Sequence, residues 1–461
     1  MTARSKVESR SPQHPNDVVA SEPVADRATV AKVAATSRQV AQQWAAAPAI
    51  ARSQALNAAA DALAAASGGV AELIVREVGK PIGESTAEVA RGVAILRYYA
   101  QQALDPDGET YPASDGRSLL MTRRFPLGVA GLITPWNFPI AIPLWKIAPA
   151  LAFGNGVVLK PSPDATGCAS AIAEVFAGLI PQGLLHVVHG GAETGSALVD
   201  AVDGMSFTGS VAVGRQVAIA AANNGIPAQA EMGGQNASIV LPDADLDHAA
   251  TTIAAAAMGY AGQKCTATSR AVVVGDPRPF TEAYVEAVRG LVVGDPADAS
   301  TVVGPVITEQ ARDRVTSAIA QARDEGGTIA AGGDVPDHDG WFLTPTVVTG
   351  LTPDATLART EVFGPIAAVL PARDIDDAVA IANQVEYGLV TAVFTRDLDR
   401  VLDLLGRIDT GLLKVNGPTT GVDFYTPFGG EKASSMGPRE QGKAAREFYT
   451  TTHTIQISPH G

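Results

Sequence analysis

The strongest constraint on this chain is an alternation. From "GVAGLITPW" onward, short apolar runs bounded by glycine or proline give way to amphipathic stretches, and the pattern repeats. "GVVLKPS", "LHVVHG" and "GMSFTGS" read as strands, and "PLWKIAPALAFG", "CASAIAEVFAGLI", "TGSALVDA" and "VAVGRQVAIAAAN" read as the helices around them. Such strand–helix–strand units lay their strands in a parallel sheet with helices on its faces. A second series begins at "ASIVLPDAD" and runs through "RAVVVGD", "PFTEAYVEAVRGL", "IAAVLPARD", "DIDDAVAIANQ" and "LVTAVFTRDLDRVLDLLGRI". The expected fold class is α/β, with two parallel-sheet units dividing near Gly233-Gly234. Ahead of them, Asp26 to Ala103 carries apolar residues at helical spacing. The Pro/Ser/Asp-rich segment before Asp26 reads as chain ordered only by packing on something else.

The chain has 461 residues, room for two or three domains, and a net charge of −14 without a Lys/Arg-rich block. That balance argues against nucleic acid, whose affinity rests on neutralising phosphates. The first residues, "MTARSKVESRSPQHPNDVV", carry no apolar leader. The most apolar stretch, 140–159, is interrupted by Pro143, Lys146, Pro149 and Gly154 and does not read as a membrane span. The cytoplasm is the expected compartment. Two cysteines are too few for a disulfide scaffold or a four-thiolate metal site, and no metal is expected.

Those two cysteines sit in different settings. Cys168, in "DATGCASAIAEV", belongs to an amphipathic helix pattern, and a lone cysteine is most often just a small buried hydrophobe. Cys265, in "AAMGYAGQKCTATSR", follows a glycine turn and a lysine and precedes hydroxyls. Other local features are individually weak. The dinucleotide fingerprint GxGxxG is absent, but "FTGS" offers a strand-to-helix turn where a phosphate could meet free N–H groups. "EMGGQN" places Glu231 at a strand end, "TEVFGP" places Glu361 beside Phe363, and "PFGGEKASSMGPREQG" is a glycine-studded loop.

Taken together and in order, "PWNFP", "GNGVVLKP", "FTGS", "EMGG", "GQKC", "EVFGP", "YGL", "VN" and "PFGGEKAS" resemble the aldehyde dehydrogenase superfamily over nearly the whole chain. Glu231 stands 34 residues before Cys265, as in that family. The resemblance implies an aldehyde dehydrogenase-like fold: a dinucleotide-binding domain (1–103 and 124–232), a catalytic domain (233–443) and a small β flap for oligomerisation (104–123 and 444–461). The strand-like tail "FYTTTHTIQI" has no evident pairing partner on this chain, and an exchanged strand in a homodimer or homotetramer would explain it.

The resemblance also implies roles. Cys265 is the nucleophile, Asn137 and the Cys265 N–H hold the oxyanion, Glu231 activates the hydrolytic water, and Lys146 and Glu440 relay protons. NAD or NADP would be held by Ile133, Thr134, Pro135, Trp136, Lys160, Ser162, Gly191, Phe207, Gly209, Ser210, Met232, Gly233, Glu361 and Phe363. Phe138, Trp145, Thr266 and Phe428 would line the aldehyde path. Many NAD-preferring relatives carry a glutamate where this chain has Pro163, so NADP is expected to serve at least as well as NAD.

"VNGPTTGVDFYTPFGGEKASSMGPREQG" and "NFPIAIPLWKIAPALAFGN" look most like the α-ketoglutaric semialdehyde dehydrogenases, whose substrate ends in an α-keto acid. Such a substrate needs a cation beside its path, and Lys264 is the candidate, as holder of the distal carboxylate and as a charge favouring the thiolate. Gln235, Ala237, Glu431 and Ala433 depart from that subgroup's pattern. Succinic semialdehyde, betaine aldehyde or an aromatic aldehyde are the alternatives within the class. A non-catalytic binding protein on the same fold is the alternative outside it.

Overall fold

The computed structural model describes residues 5–460. Residues 1–4 of the expected first domain, and Gly461 of the expected flap, lie outside that range.

The first series builds a six-stranded sheet. Its strands run in space as Ser435–Met436, Ala228–Glu231, Gly204–Thr208, Val129–Thr134, Gly156–Pro161 and Leu185–Val187. All neighbours are parallel except Ser435–Met436, which joins the edge antiparallel. The chain leaves Val129–Thr134 toward Gly156–Pro161, then returns to the other side of Val129–Thr134 with Gly204–Thr208. A ligand crevice forms at the carboxyl ends of strands where the order reverses in this way. The second series builds a seven-stranded sheet from Thr328–Ala331, Thr346–Thr349, Ile366–Ala372, Thr268–Val274, Asn236–Val240, Val390–Phe394 and Leu412–Val415. Central strands such as Val129–Thr134, Gly156–Pro161 and Asn236–Val240 are buried on both faces, which is why they read as continuous apolar runs rather than alternating ones.

Four helices, Arg27–Ala46, Ala49–Ala65, Ser67–Val78 and Ile82–Gln102, fall where the spacing predicts them. The last packs on Ala141–Ala152, a helix whose every residue is buried. Their approach is close at Gly92, where a Cβ would stand 2.8 Å from Leu144 Cδ1.

The structure adds to or corrects the sequence reading at three places. The segment before Asp26, expected to be ordered only by packing, also forms its own antiparallel hairpin from Lys6–Arg10 and Val18–Pro23. Leu246–Met258 is a further helix, which the sequence reading did not name. The tail does have a partner on its own chain. Thr450–Ile457 pairs antiparallel with Leu119–Pro126 along its whole length, and Thr110–Tyr111 completes the three-stranded flap.

Among the described residues no single helix is long and apolar enough to cross a membrane.

Candidate active site

Cys265 stands at the end of an unusual turn. Tyr260, Ala261 and Gly262 have φ of 54°, 52° and 66°, three left-handed residues in a row. Each non-glycine residue in that region costs roughly 1–2 kcal/mol, so the surroundings must hold the turn. Gly262 is required twice over, since a Cβ there would also stand 2.2 Å from the Gly364 carbonyl oxygen. Gln263 is the anchor: its Oε1 accepts from the Ile307 N–H at 2.8 Å and its Nε2 donates to the Pro305 carbonyl at 3.2 Å. Asn236 Nδ2 donates to the carbonyls of Cys265 and Ala267, both at 2.8 Å.

Asn137 comes from the other unit and reaches the same turn. Its Nδ2 donates to the Gln263 carbonyl at 2.9 Å. A side-chain amide has two N–H donors, so this bond orients the group and leaves the second for an incoming oxygen. The backbone N–H groups of Cys265 and Thr266 face the sulfur.

The half-buried Cys265 side chain lines two cavities. The first, of about 390 Å³, lies at the carboxyl ends of the six-stranded sheet. Its walls include Pro135, Trp136, Gly209, Ser210, Met232, Gly233, Glu361 and Phe363. Gly233 leaves room for the Glu361 carboxylate, whose Oε2 would stand 2.0 Å from a Cβ there. Ile133, Thr134 and Phe207 lie buried in the strands behind this wall. Lys160, Ser162 and Gly191 sit at the next strand and helix ends, with Lys160 Nζ donating to the carbonyls of Pro161 and Gly190 at 2.8 and 3.0 Å. Burial lowers the Lys160 ammonium to about 8. Thr134 and Thr208, at the ends of adjacent strands, each bury a hydroxyl with no partner among the described residues. The residues fit an elongated polar ligand laid across the strand ends. Sequence reading missed Asp164 and Arg314, which also line this cavity. Asp164 supplies a carboxylate one residue beyond Pro163.

The second cavity, of about 690 Å³, opens on the opposite side of the thiol. Phe138, Trp145, Lys264, Thr266 and Phe428 all line it. Trp145 also reaches away from it, donating from Nε1 to Glu440 Oε2 at 2.6 Å. Glu440 is ion-paired with the fully buried Lys146, whose Nζ donates to Ser206 Oγ at 2.7 Å. Lys264 is neither free nor solvated: its Nζ is bridged to Glu84 at 2.8 Å. Lys80 is buried against Glu88 and stands 3.7 Å from the centre of the Phe138 ring. Glu88 in turn accepts from the Ile140 and Ala141 N–H groups at 2.9 and 3.0 Å, so it caps the start of the helix that follows Asn137. Glu84, Glu88 and Arg91 are wall residues that carry no sequence motif.

The electrostatics depart from expectation. Burial, then the charges of Glu361 and Glu231, pushes the Cys265 thiol up to about 12. The Lys264 charge is matched by Glu84 and does not offset this. Glu231 is buried and accepts from Ser435 Oγ at 2.5 Å. Desolvation, and next the Glu440 charge, raises its carboxyl well above the ordinary range. A raised carboxyl makes the stronger base once it is ionised, which suits a general base. Glu361 accepts from the Gly234 N–H at 3.1 Å and is raised by burial to about 7. Cys168 is wholly buried, and burial raises its thiol too.

Known proteins carry the same framework. The model of the aldehyde dehydrogenase family matches residues 1–455. An α-ketoglutaric semialdehyde dehydrogenase of Bacillus subtilis (strain 168) is 39% identical over 85% of this chain and 82% of its own length. An α-ketoglutarate semialdehyde dehydrogenase of Haloferax volcanii is 39% identical over 97% of this chain and 94% of its own. The crystal structure of betaine aldehyde dehydrogenase from Staphylococcus aureus in complex with NAD+ superposes with a TM-score of 0.95 at 29% identity, covering 98% of this chain and 91% of that one.

Proposed function

This chain belongs to the aldehyde dehydrogenase family, and from that premise we propose that it oxidises α-ketoglutaric semialdehyde to 2-oxoglutarate with NAD(P)+. What carries the reading is the position of Cys265, whose thiol faces a cofactor-sized cleft on one side and a separate cavity on the other. The semialdehyde is supported by the two relatives of that name and by Arg91, a cation in the wall of the second cavity with no ion-pair partner among the described residues.

In this reading the aldehyde enters from the larger cavity. The Cys265 thiolate attacks its carbonyl carbon and forms a thiohemiacetal. The second Asn137 N–H and the Cys265 backbone N–H hold the new oxyanion, and both are oriented before substrate arrives. NAD(P)+, when bound along the six-stranded sheet, supplies the hydride acceptor. The remaining thioester is hydrolysed by water that Glu231 deprotonates. This ends the reaction on a free acid rather than on coenzyme A. Glu440 and Lys146 lie behind Glu231 and give its proton a charged partner pair.

The cofactor and assembly follow from similar arguments. Pro163 offers no carboxylate to the adenosine ribose, which favours NADP, whereas Asp164 brings one into the same cavity, which favours NAD. The flap leaves the outer edge of Thr450–Ile457 open, and a second copy of the chain would cover it.

The test is reduced-cofactor absorbance with α-ketoglutaric semialdehyde, succinic semialdehyde, betaine aldehyde and benzaldehyde. The highest kcat/KM is expected for α-ketoglutaric semialdehyde. Preference for betaine aldehyde or benzaldehyde would reject the acidic substrate and leave only the family activity.

A further inference from the structure

Among the described residues, the wall of the substrate cavity holds one cation with no ion-pair partner. Five charged residues line it: Glu84, Glu88, Arg91, Lys264 and Asp423. Lys264 and Glu84 are paired. Glu88 is taken up by Lys80 and by the Ile140 and Ala141 N–H groups. Arg91 remains. Its Nε is buried and has no hydrogen-bond partner among the described residues. Glu88 and Asp423 act on it only through the field, and Asp423 is exposed.

A half-buried guanidinium whose Nε has no partner is poorly satisfied, and a planar carboxylate is the group whose geometry matches it. Arg91 is also firmly placed. Its helix, Ile82–Gln102, turns Glu84, Ala87, Glu88, Arg91 and Ala94 toward the cavity. The alanines leave space beside the guanidinium. Gly92 lets that helix sit tightly on Ala141–Ala152, which carries Trp145 on the opposite wall.

We infer that Arg91, rather than Lys264, sets the preference for an acidic aldehyde, by holding the carboxylate at the far end of the substrate while the aldehyde carbon lies at Cys265. The inference rests on the acidic-substrate reading above and deepens it. The α-keto oxygen beside that carboxylate is a further acceptor that a planar fork of N–H donors can reach, and a neutral aldehyde offers neither group.

The experiment compares kcat/KM for α-ketoglutaric semialdehyde and for pentanal, a neutral aldehyde of equal chain length, in the full-length enzyme and in Arg91→Gln, Arg91→Lys and Lys264→Gln. A charged hydrogen bond is worth enough to change affinity by roughly 10- to 150-fold, so the acid-to-neutral ratio should fall about 30-fold in Arg91→Gln, through KM. Arg91→Lys should lie between that variant and wild type. Lys264→Gln should affect both substrates alike and keep the ratio within about threefold of wild type. Equal losses on both substrates in Arg91→Gln would make the residue structural and overturn the inference. A collapse of the ratio in Lys264→Gln with none in the Arg91 variants would hand the role to Lys264. The wild-type row separates the two readings: if it favours pentanal, the acidic substrate itself falls and Arg91 with it.

Discussion

The two cavities that meet at Cys265 are built on opposite principles. The cofactor-side cavity is made of strand ends and tight turns: Pro135 and Trp136 after one strand, Gly209 and Ser210 after the next, Met232 and Gly233 after a third. Its shape is set by backbone, and Gly233 leaves room there for the Glu361 carboxylate. The substrate-side cavity is made of side chains from one helix face, a second helix and a late loop, and its polar character comes from how charges are paired. Backbone-built sites leave motifs, because few residues can take the turn. Sites built on helix faces leave almost none, because any side chain can stand on a helix.

The sharpest way to break this comparison is at the shared residue. Cys265→Ala should lower turnover by at least about a thousandfold, while Cys168→Ala keeps most of it, because only Cys265 faces both cavities. Comparable losses in both variants would mean that the thiol is not where the two cavities act together.

The next largest effect belongs to Glu231. Glu231→Gln should slow thioester hydrolysis roughly a hundredfold, the usual scale of a general base, and spare the first half-reaction. Stopped-flow mixing should still show a burst of reduced cofactor. Loss of the burst with hydrolysis unaffected would remove Glu231 from the water-activating role.

Glu361 tests how much the cofactor side is strained without its ligand. Its carboxyl is raised from 4.5 to about 7, chiefly by burial, so the folded protein binds that proton more tightly than the unfolded chain does. The stability this contributes is fully present below pH about 4.5 and is lost as pH rises through about 7, a difference of about 3 kcal/mol. Glu361→Gln should therefore unfold at a higher temperature than wild type at pH 8, and the gap should close towards pH 5. A gap independent of pH would show that the carboxyl does not titrate there.

The smallest effect expected is on cofactor choice. Asp164→Asn should raise the NADP-to-NAD ratio of kcat/KM several-fold, by removing a carboxylate from the wall where a ribose phosphate would approach. An unchanged ratio would mean that Asp164 faces the cavity away from the ribose.

Much of the molecule was legible before any coordinates. The alternating runs specified two largely parallel sheets, because strands buried on both faces must be apolar throughout, while the antiparallel edge strands Thr328–Ala331 and Ser435–Met436 left no such signal. The turn before Cys265 was legible through Gly262, since few residues tolerate its conformation. What tertiary structure alone decided is which charges face one another. Lys264 stands beside the nucleophile in sequence, yet Glu84, 180 positions away, matches its charge. Trp145 reads as a wall residue, yet it also holds Glu440 from 295 positions away. Arg91 reads as one more polar residue on a helix, yet the fold half-buries it in a cavity wall and leaves its Nε without a partner among the described residues. The tail strand reads as unpaired until Leu119–Pro126 is brought alongside it. The physical reason is common to all four. Periodicity and turn chemistry are local properties of the chain, whereas charge pairing and strand pairing depend on distances that exist only after packing.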